Sequence, residues 1–258
     1  MTLGLKSNMP MQVSFREWDD SVSAHRAVAS LGRDEVQVWT ATVPVGEWGQ
    51  TVPDHILSGD EWERAERFSV GEPRRQFVFG RTFLRQLLGA CRKVDPSTLV
   101  FGYGLRGKPF LAQSCIGGDL RFNLSHSGRM AAIALACGRE IGVDIESIHR
   151  LEDWSPLTGR VFSQRELNEL RSLPDRLQRE AFFQGWTRKE AYLKATGEGL
   201  TDTLPCIEVT LGSGKKPEFI GLPAGPEAAR LWEIRTVPLP PGYVGAIVFE
   251  KNLESLQK

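Results

Sequence analysis

The chain is predicted to fold as an α+β protein made of two similar halves in pseudo-twofold relation, each with helices packed on a mainly antiparallel sheet. Three observations carry this expectation. Sliding the 258-residue sequence against itself by 105 positions aligns features of different kinds in the same order. Two helix-start signals fall in register, and each aligned half both opens and closes on strand-like apolar patterning.

The opening strand is Val36 to Val43, which falls on Ile141 to Ile148 with apolar residues at the same alternate positions. Ser58-Gly59-Asp60-Glu61 falls on Ser163-Gln164-Arg165-Glu166. Each is a Ser-x-x-Glu capping box, in which hydroxyl and carboxylate satisfy the orphan amides of a helix start. Phe77 to Gly80 falls on Phe182 to Gly185, leading into a second helix at Arg81 to Leu88 in one half and Trp186 to Lys194 in the other. Ser97-Thr98-Leu99 falls on Asp202-Thr203-Leu204, and with small insertions Gly128 to Leu135 matches Gly242 to Phe249 as a closing strand. A strand, two helices and two or three further strands suit helices on one face of an antiparallel sheet. The expected halves are 1–135 and 136–258, with one active site in the cleft between them.

One site is expected because the halves differ in their acids. Where the second half has Asp144, Glu146 and Glu190, the first has Trp39, Ala41 and Arg85. In a strand, Ile141, Val143 and Ile145 bury one face while Asp144 and Glu146 share the other, roughly 6 to 7 Å apart. Like charges that close repel unless a cation lies between them. Hard oxygen ligands suit Mg²⁺, which takes one or two carboxylates plus phosphate oxygens. The expected ligand is therefore a divalent ion holding a phosphate.

Composition adds bounds. With 41% hydrophobic and 25% charged residues the chain can bury a substantial core in one large or two small domains. Its 32 basic and 32 acidic side chains cancel, so nothing global argues for nucleic acid or an anionic membrane. The longest apolar run, Met130 to Cys137, is far shorter than a membrane span, and the polar start lacks the apolar core of a signal peptide. A cytoplasmic protein is expected. Cys91, Cys115, Cys137 and Cys206 are widely spaced without Cys-x-x-Cys, so they read as small hydrophobes rather than zinc ligands or disulfide partners.

The segment joining the halves, Arg121 to Gly128, is polar where a strand is normally apolar. Phe122 and Leu124 share one face and Asn123, Ser125 and Ser127 the other, while His126 sits with the apolar pair or in a turn. Adjacent strand residues point apart, so Ser125 and His126 do not form the hydrogen-bonded pair of a hydrolase triad. Two glycine patterns upstream are decoys. Gly102 to Gly107 has dinucleotide-binding spacing, but no helix follows to receive a pyrophosphate. Gly102 to Lys108 approaches a Walker A loop, yet Pro109 stands where the hydroxyl residue that holds Mg²⁺ belongs. What survives is a turn that delivers one cation, Lys108.

Four motifs then occur in order: Gly107-Lys108-Pro109; Asn123-Leu124-Ser125-His126-Ser127; Gly142-Val143-Asp144-Ile145-Glu146; and the segment from Trp186 through Lys189, Glu190 and Ala191 to Lys194. From about Val36 to Phe249 the chain resembles the 4′-phosphopantetheinyl transferases of the large, surfactin-type class. The resemblance implies a monomer that moves the phosphopantetheine arm of coenzyme A onto a serine of an apo acyl or peptidyl carrier protein, releasing adenosine 3′,5′-bisphosphate. It implies Mg²⁺ held by Asp144, Glu146 and Glu190, with Glu190 also the base. Lys194, one helical turn beyond, would stabilise charge on the phosphoryl oxygens. Lys108, Ser125 and His126, with Arg75, would contact the phosphates of coenzyme A. Two other functions compete: a non-catalytic coenzyme A binding module and a Mg²⁺-dependent pyrophosphate hydrolase. Arg160, Arg165, Arg171 and Arg176 fringe the second-half capping-box helix and offer a docking face for an acidic carrier.

Overall fold

A computed structural model describes residues 11–18, 28, 31–43, 55–68, 71–112, 120–199, 203–212 and 214–251. Cys115, Asp202 and both terminal segments lie outside the described residues. In chain order the elements are β1 (Gln12–Glu17), β2 (Glu35–Thr42), α1 (Gly59–Glu66), α2 (Glu72–Arg92), β3 (Phe101–Tyr103), β4 (Pro109–Leu111), β5 (Leu120–Ser127), β6 (Met130–Cys137) and β7 (Ile141–Ser147). There follow α3 (Thr158–Val161), α4 (Gln164–Ser172), α5 (Asp175–Thr196), β8 (Glu208–Val209), β9 (Phe219–Gly221), α6 (Pro226–Leu231), β10 (Trp232–Thr236) and β11 (Tyr243–Glu250).

The fold is α+β, as the sequence predicts. One sheet runs β1-β2-β6-β5 and the other β10-β11-β7, antiparallel throughout except for β1, which lies parallel to β2. Strands β2, β6 and β5 stand in the same order and sense as β7, β11 and β10. Each half also places a capping-box helix, a long helix and a short hairpin, β3–β4 or β8–β9, between its first and last strands, and the second half adds the short α3 and α6.

Alternation along the strands builds four layers. Trp39, Ala41, Ala131, Ile133 and Leu135 face α2, burying Phe83, Leu84, Leu87 and Leu88. The opposite faces of the two sheets meet through Val36, Val38, Ala132 and Ala134 on one side and Ile141, Val143, Ile145, Ile247 and Phe249 on the other. Ala246, Val248 and Ile234 then cover α5, which buries Phe182, Phe183, Ala191 and Leu193.

Both capping boxes form, and both have a buried cation behind them. Glu61 accepts from Ser58 N and meets Arg85 at 2.6 Å, while Glu166 accepts from Ser163 N and meets Lys189 at 2.6 Å. Arg85 stands at the position that carries Glu190 in the other half. It is committed to Glu61 and to the carbonyls of Pro96 and Leu99. Among the described residues no helix is long and apolar enough to cross a membrane. Cys91 and Cys206 are free thiols, and Cys137 Sγ donates to the Leu31 carbonyl at 3.8 Å.

Candidate active site

Strand β7 lies against α5 at Gly142, and this close approach sets Asp144 and Glu146 beneath the last turns of the helix. Its apolar residues point into the core between the sheets, so the acids point at Glu190 and Lys194. All three carboxylates are nearly buried: Asp144 is 5%, Glu146 7% and Glu190 9% exposed. Lys194 Nζ donates to Asp144 Oδ1 at 2.7 Å and to Ser125 Oγ at 3.0 Å. Ser125 Oγ donates to the same Asp144 oxygen at 2.9 Å. Glu146 has both oxygens engaged, Oε2 by Ser127 Oγ and Oε1 by Arg150 Nη1, each at 2.6 Å.

Two buried oxygens, Asp144 Oδ2 and Glu190 Oε1, have no hydrogen-bond partner. Burial, reinforced by the negative charges of Asp144 and Glu146 and opposed by Lys194, pushes the Glu190 carboxyl up to about 7. Burial also raises Glu146, against the Ser127 hydrogen bond.

Asp144, Glu146 and Glu190 are close enough that both β7 acids act on the Glu190 carboxyl. Among the described residues no three His, Cys, Asp or Glu side chains stand together as a metal-holding group. Ser127 and Arg150 each take one lone pair of Glu146, one on each oxygen, and leave the other lone pairs for a cation. With Asp144 Oδ2 and Glu190 Oε1 unpartnered, the carboxylates are a hard-oxygen donor set that suits an ion completing its shell with phosphate and water.

A cavity of about 440 Å³ opens beside Glu146 and draws on both halves: Glu72, Gln76 and His126 from one, Ser147, His149 and Arg150 from the other. His126 is open to solvent on one side. Crowding by the protein, with the Lys194 and Arg150 cations, lowers its pKa below the ordinary value. Gln76 Nε2 donates to the Gly128 carbonyl at 2.6 Å across this cavity. Arg75, on the adjoining helical position, is exposed.

Lys108 is not at this cavity. Its ammonium lies against the carbonyls of Ala195 at 3.1 Å and Ile141 at 3.3 Å and against Glu140 at 3.5 Å, on the wall of a second cavity of about 310 Å³. Sequence reading missed Arg150, His149 and Gln76. They lie past the end of a strand or within a helix start, where no spacing marks them as neighbours of the carboxylates.

Comparisons with known proteins agree over both halves. Residues 140–248 match the model of the 4′-phosphopantetheinyl transferase superfamily, and residues 39–138 match that of the 4′-phosphopantetheinyl transferase, N-terminal. The 4′-phosphopantetheinyl transferase HetI of Nostoc sp. is 43% identical over 184 residues, 70% of this chain and 76% of that protein. A 4′-phosphopantetheinyl transferase of Bacillus subtilis is 29% identical over 155 residues, 60% of this chain and 66% of its own length. The L-aminoadipate-semialdehyde dehydrogenase-phosphopantetheinyl transferase of Xenopus laevis is 29% identical over 192 residues, 66% of this chain and 62% of its own length. The chain thus belongs to the 4′-phosphopantetheinyl transferase superfamily, in its larger class with an N-terminal half of its own.

Proposed function

We propose that the protein transfers the 4′-phosphopantetheine moiety of coenzyme A to a serine of an apo carrier protein, releasing adenosine 3′,5′-bisphosphate. The observation that carries this reading is Glu190. It is buried, has an unpartnered oxygen and stands one helical turn from the lysine that holds Asp144, in surroundings that raise its carboxyl to about 7. A carboxylate with a pKa near the working pH is suited to general-base work.

In the proposed step Glu190 takes the proton of the carrier serine hydroxyl. The serine oxygen bonds to the phosphorus nearer the pantetheine, and the bond from that phosphorus to the bridging oxygen of the pyrophosphate breaks, leaving the electron pair on adenosine bisphosphate. Lys194 lies where it can meet charge on the phosphoryl oxygens. His126 and Arg150 offer cationic or hydrogen-bonding edges to the phosphates in the cavity. Asp144, Glu146 and Glu190 are the residues proposed to hold Mg²⁺, which when bound would neutralise pyrophosphate charge.

Both halves of one chain line the cavity, which supports a monomeric enzyme. Arg160, Arg165, Arg171 and Arg176 are exposed and are proposed as the docking face for an acidic carrier protein. Charge reversal of Arg165 and Arg171 should raise the KM for the carrier and leave that for coenzyme A unchanged.

Incubation with coenzyme A, Mg²⁺ and an apo carrier, followed by mass spectrometry of the carrier, tests the function. A gain of one phosphopantetheine is expected. An unchanged carrier would leave only coenzyme A binding, and coenzyme A cleavage without carrier modification would indicate a hydrolase.

A further inference from the structure

Strands β5 and β7 run side by side without a backbone ladder between them. Every second side chain of β5 reaches across instead. Asn123 Oδ1 accepts from Val143 N at 2.9 Å, Ser125 Oγ from Ile145 N at 3.2 Å and Ser127 Oγ from Ser147 N at 3.0 Å. The two hydroxyls then use their single hydrogens on the acids between those amides, Ser125 on Asp144 and Ser127 on Glu146.

A hydroxyl has one hydrogen and two acceptor lone pairs. Ser125 donates to Asp144 and accepts from Ile145 N and Lys194 Nζ, so its hydrogen-bonding capacity is filled. Both serines are also buried, at 5% and 3% exposure. We infer that Ser125 and Ser127 are positioning residues, which fix the carboxylates of Asp144 and Glu146 against the backbone of β7. Each hydroxyl ties the seam between the halves to the rotamer of one acid. Ser125 keeps Asp144 Oδ1 occupied so that Oδ2 stays free, and Ser127 with Arg150 holds Glu146.

This inference rests on the transferase reading for its kinetic test and has a second test that does not. Ser125→Ala should lower kcat by about 10- to 100-fold, the usual effect of removing an outer partner of a functional carboxylate. Its coenzyme A affinity, measured by calorimetry, should stay within about 2-fold of the parent, and Ser125→Thr, which keeps the hydroxyl, should recover most of the rate. Amide hydrogen exchange should accelerate at Ile145 in Ser125→Ala and at Ser147 in Ser127→Ala. If Ser125→Ala does not fold, Ser127→Ala and Ser125→Thr carry the same measurements. Coenzyme A affinity weakened about 10-fold with kcat retained would overturn the inference, as would unchanged exchange at both amides. Should the parent protein fail to modify any carrier, the transferase reading falls, while the exchange rates still decide whether the serines hold the seam.

Discussion

Gly142 lies directly against the carbonyl of Ala191: a Cβ built at Gly142 would come within 2.0 Å of that oxygen and 2.4 Å of Ala195 N. Both atoms are helix backbone, so no rotamer change relieves the clash, and α5 must lift from β7. Gly142→Ala should therefore destabilise the protein by about 3 kcal/mol or more, at or beyond the upper range for overpacking a core. The lift would also part Glu190 and Lys194 from Asp144. A urea midpoint equal to that of the parent would show that helix and strand are not in this contact.

Glu190 should make stability depend on pH. Its carboxyl is raised from 4.5 to about 7, so the folded state binds the proton more tightly than the unfolded chain. Stability is then full below about 4.5 and declines as pH rises toward 7, by on the order of 3 kcal/mol. In chelator-treated protein, Glu190→Gln should remove this decline, gaining on the parent between pH 5 and pH 8 in chemical denaturation. The same substitution should abolish nearly all turnover while coenzyme A binding persists. Equal rates for variant and parent would exclude Glu190 as the base.

Lys194 is the one cation among the groups that set the Glu190 pKa, and it acts to lower it. Lys194→Met should therefore move the acidic limb of the pH–rate profile to higher pH, in addition to reducing kcat. The sign is the informative part: a profile that falls in height and does not move would place Lys194 on the substrate alone and not on the Asp144–Glu190 pair.

Local patterning made much of this legible in the sequence. The two capping boxes depend on residues three apart, and the inward faces of β2 and β7 depend on alternation, so both could be read without knowing what they pack against. The state of Glu146 could not. Its two partners are Ser127, from a strand across the seam, and Arg150, beyond the end of its own strand. Lys108 shows the same limit. Its glycine-rich surroundings suggest a mobile tip, but the β3–β4 hairpin lays its ammonium on the Ala195 carbonyl, in the last turn of α5, where a helix favours positive charge. That contact joins residues from different halves of the chain.

Lys189 offers a test of how the helix bearing Glu190 is anchored. Its ammonium is fully buried on Glu166 at 2.6 Å and on the carbonyls of Val161 and Leu204, and Glu166 in turn accepts from Val209 N. Removing one member of such a pair strands a charge in the core, which costs about 3 to 5 kcal/mol. Lys189→Met should therefore be severely destabilising, because Glu166 keeps its charge with only amide partners. Adding Glu166→Gln removes that charge and keeps one carbonyl oxygen, which can accept from either the Val209 or the Ser163 amide. The double variant should regain a large part of the loss, and the thermodynamic cycle over the four proteins should show a strong coupling. Independent, additive losses would mean that Lys189 stabilises the fold by packing over Phe162 and the nearby carbonyls, with Glu166 held by its cap alone.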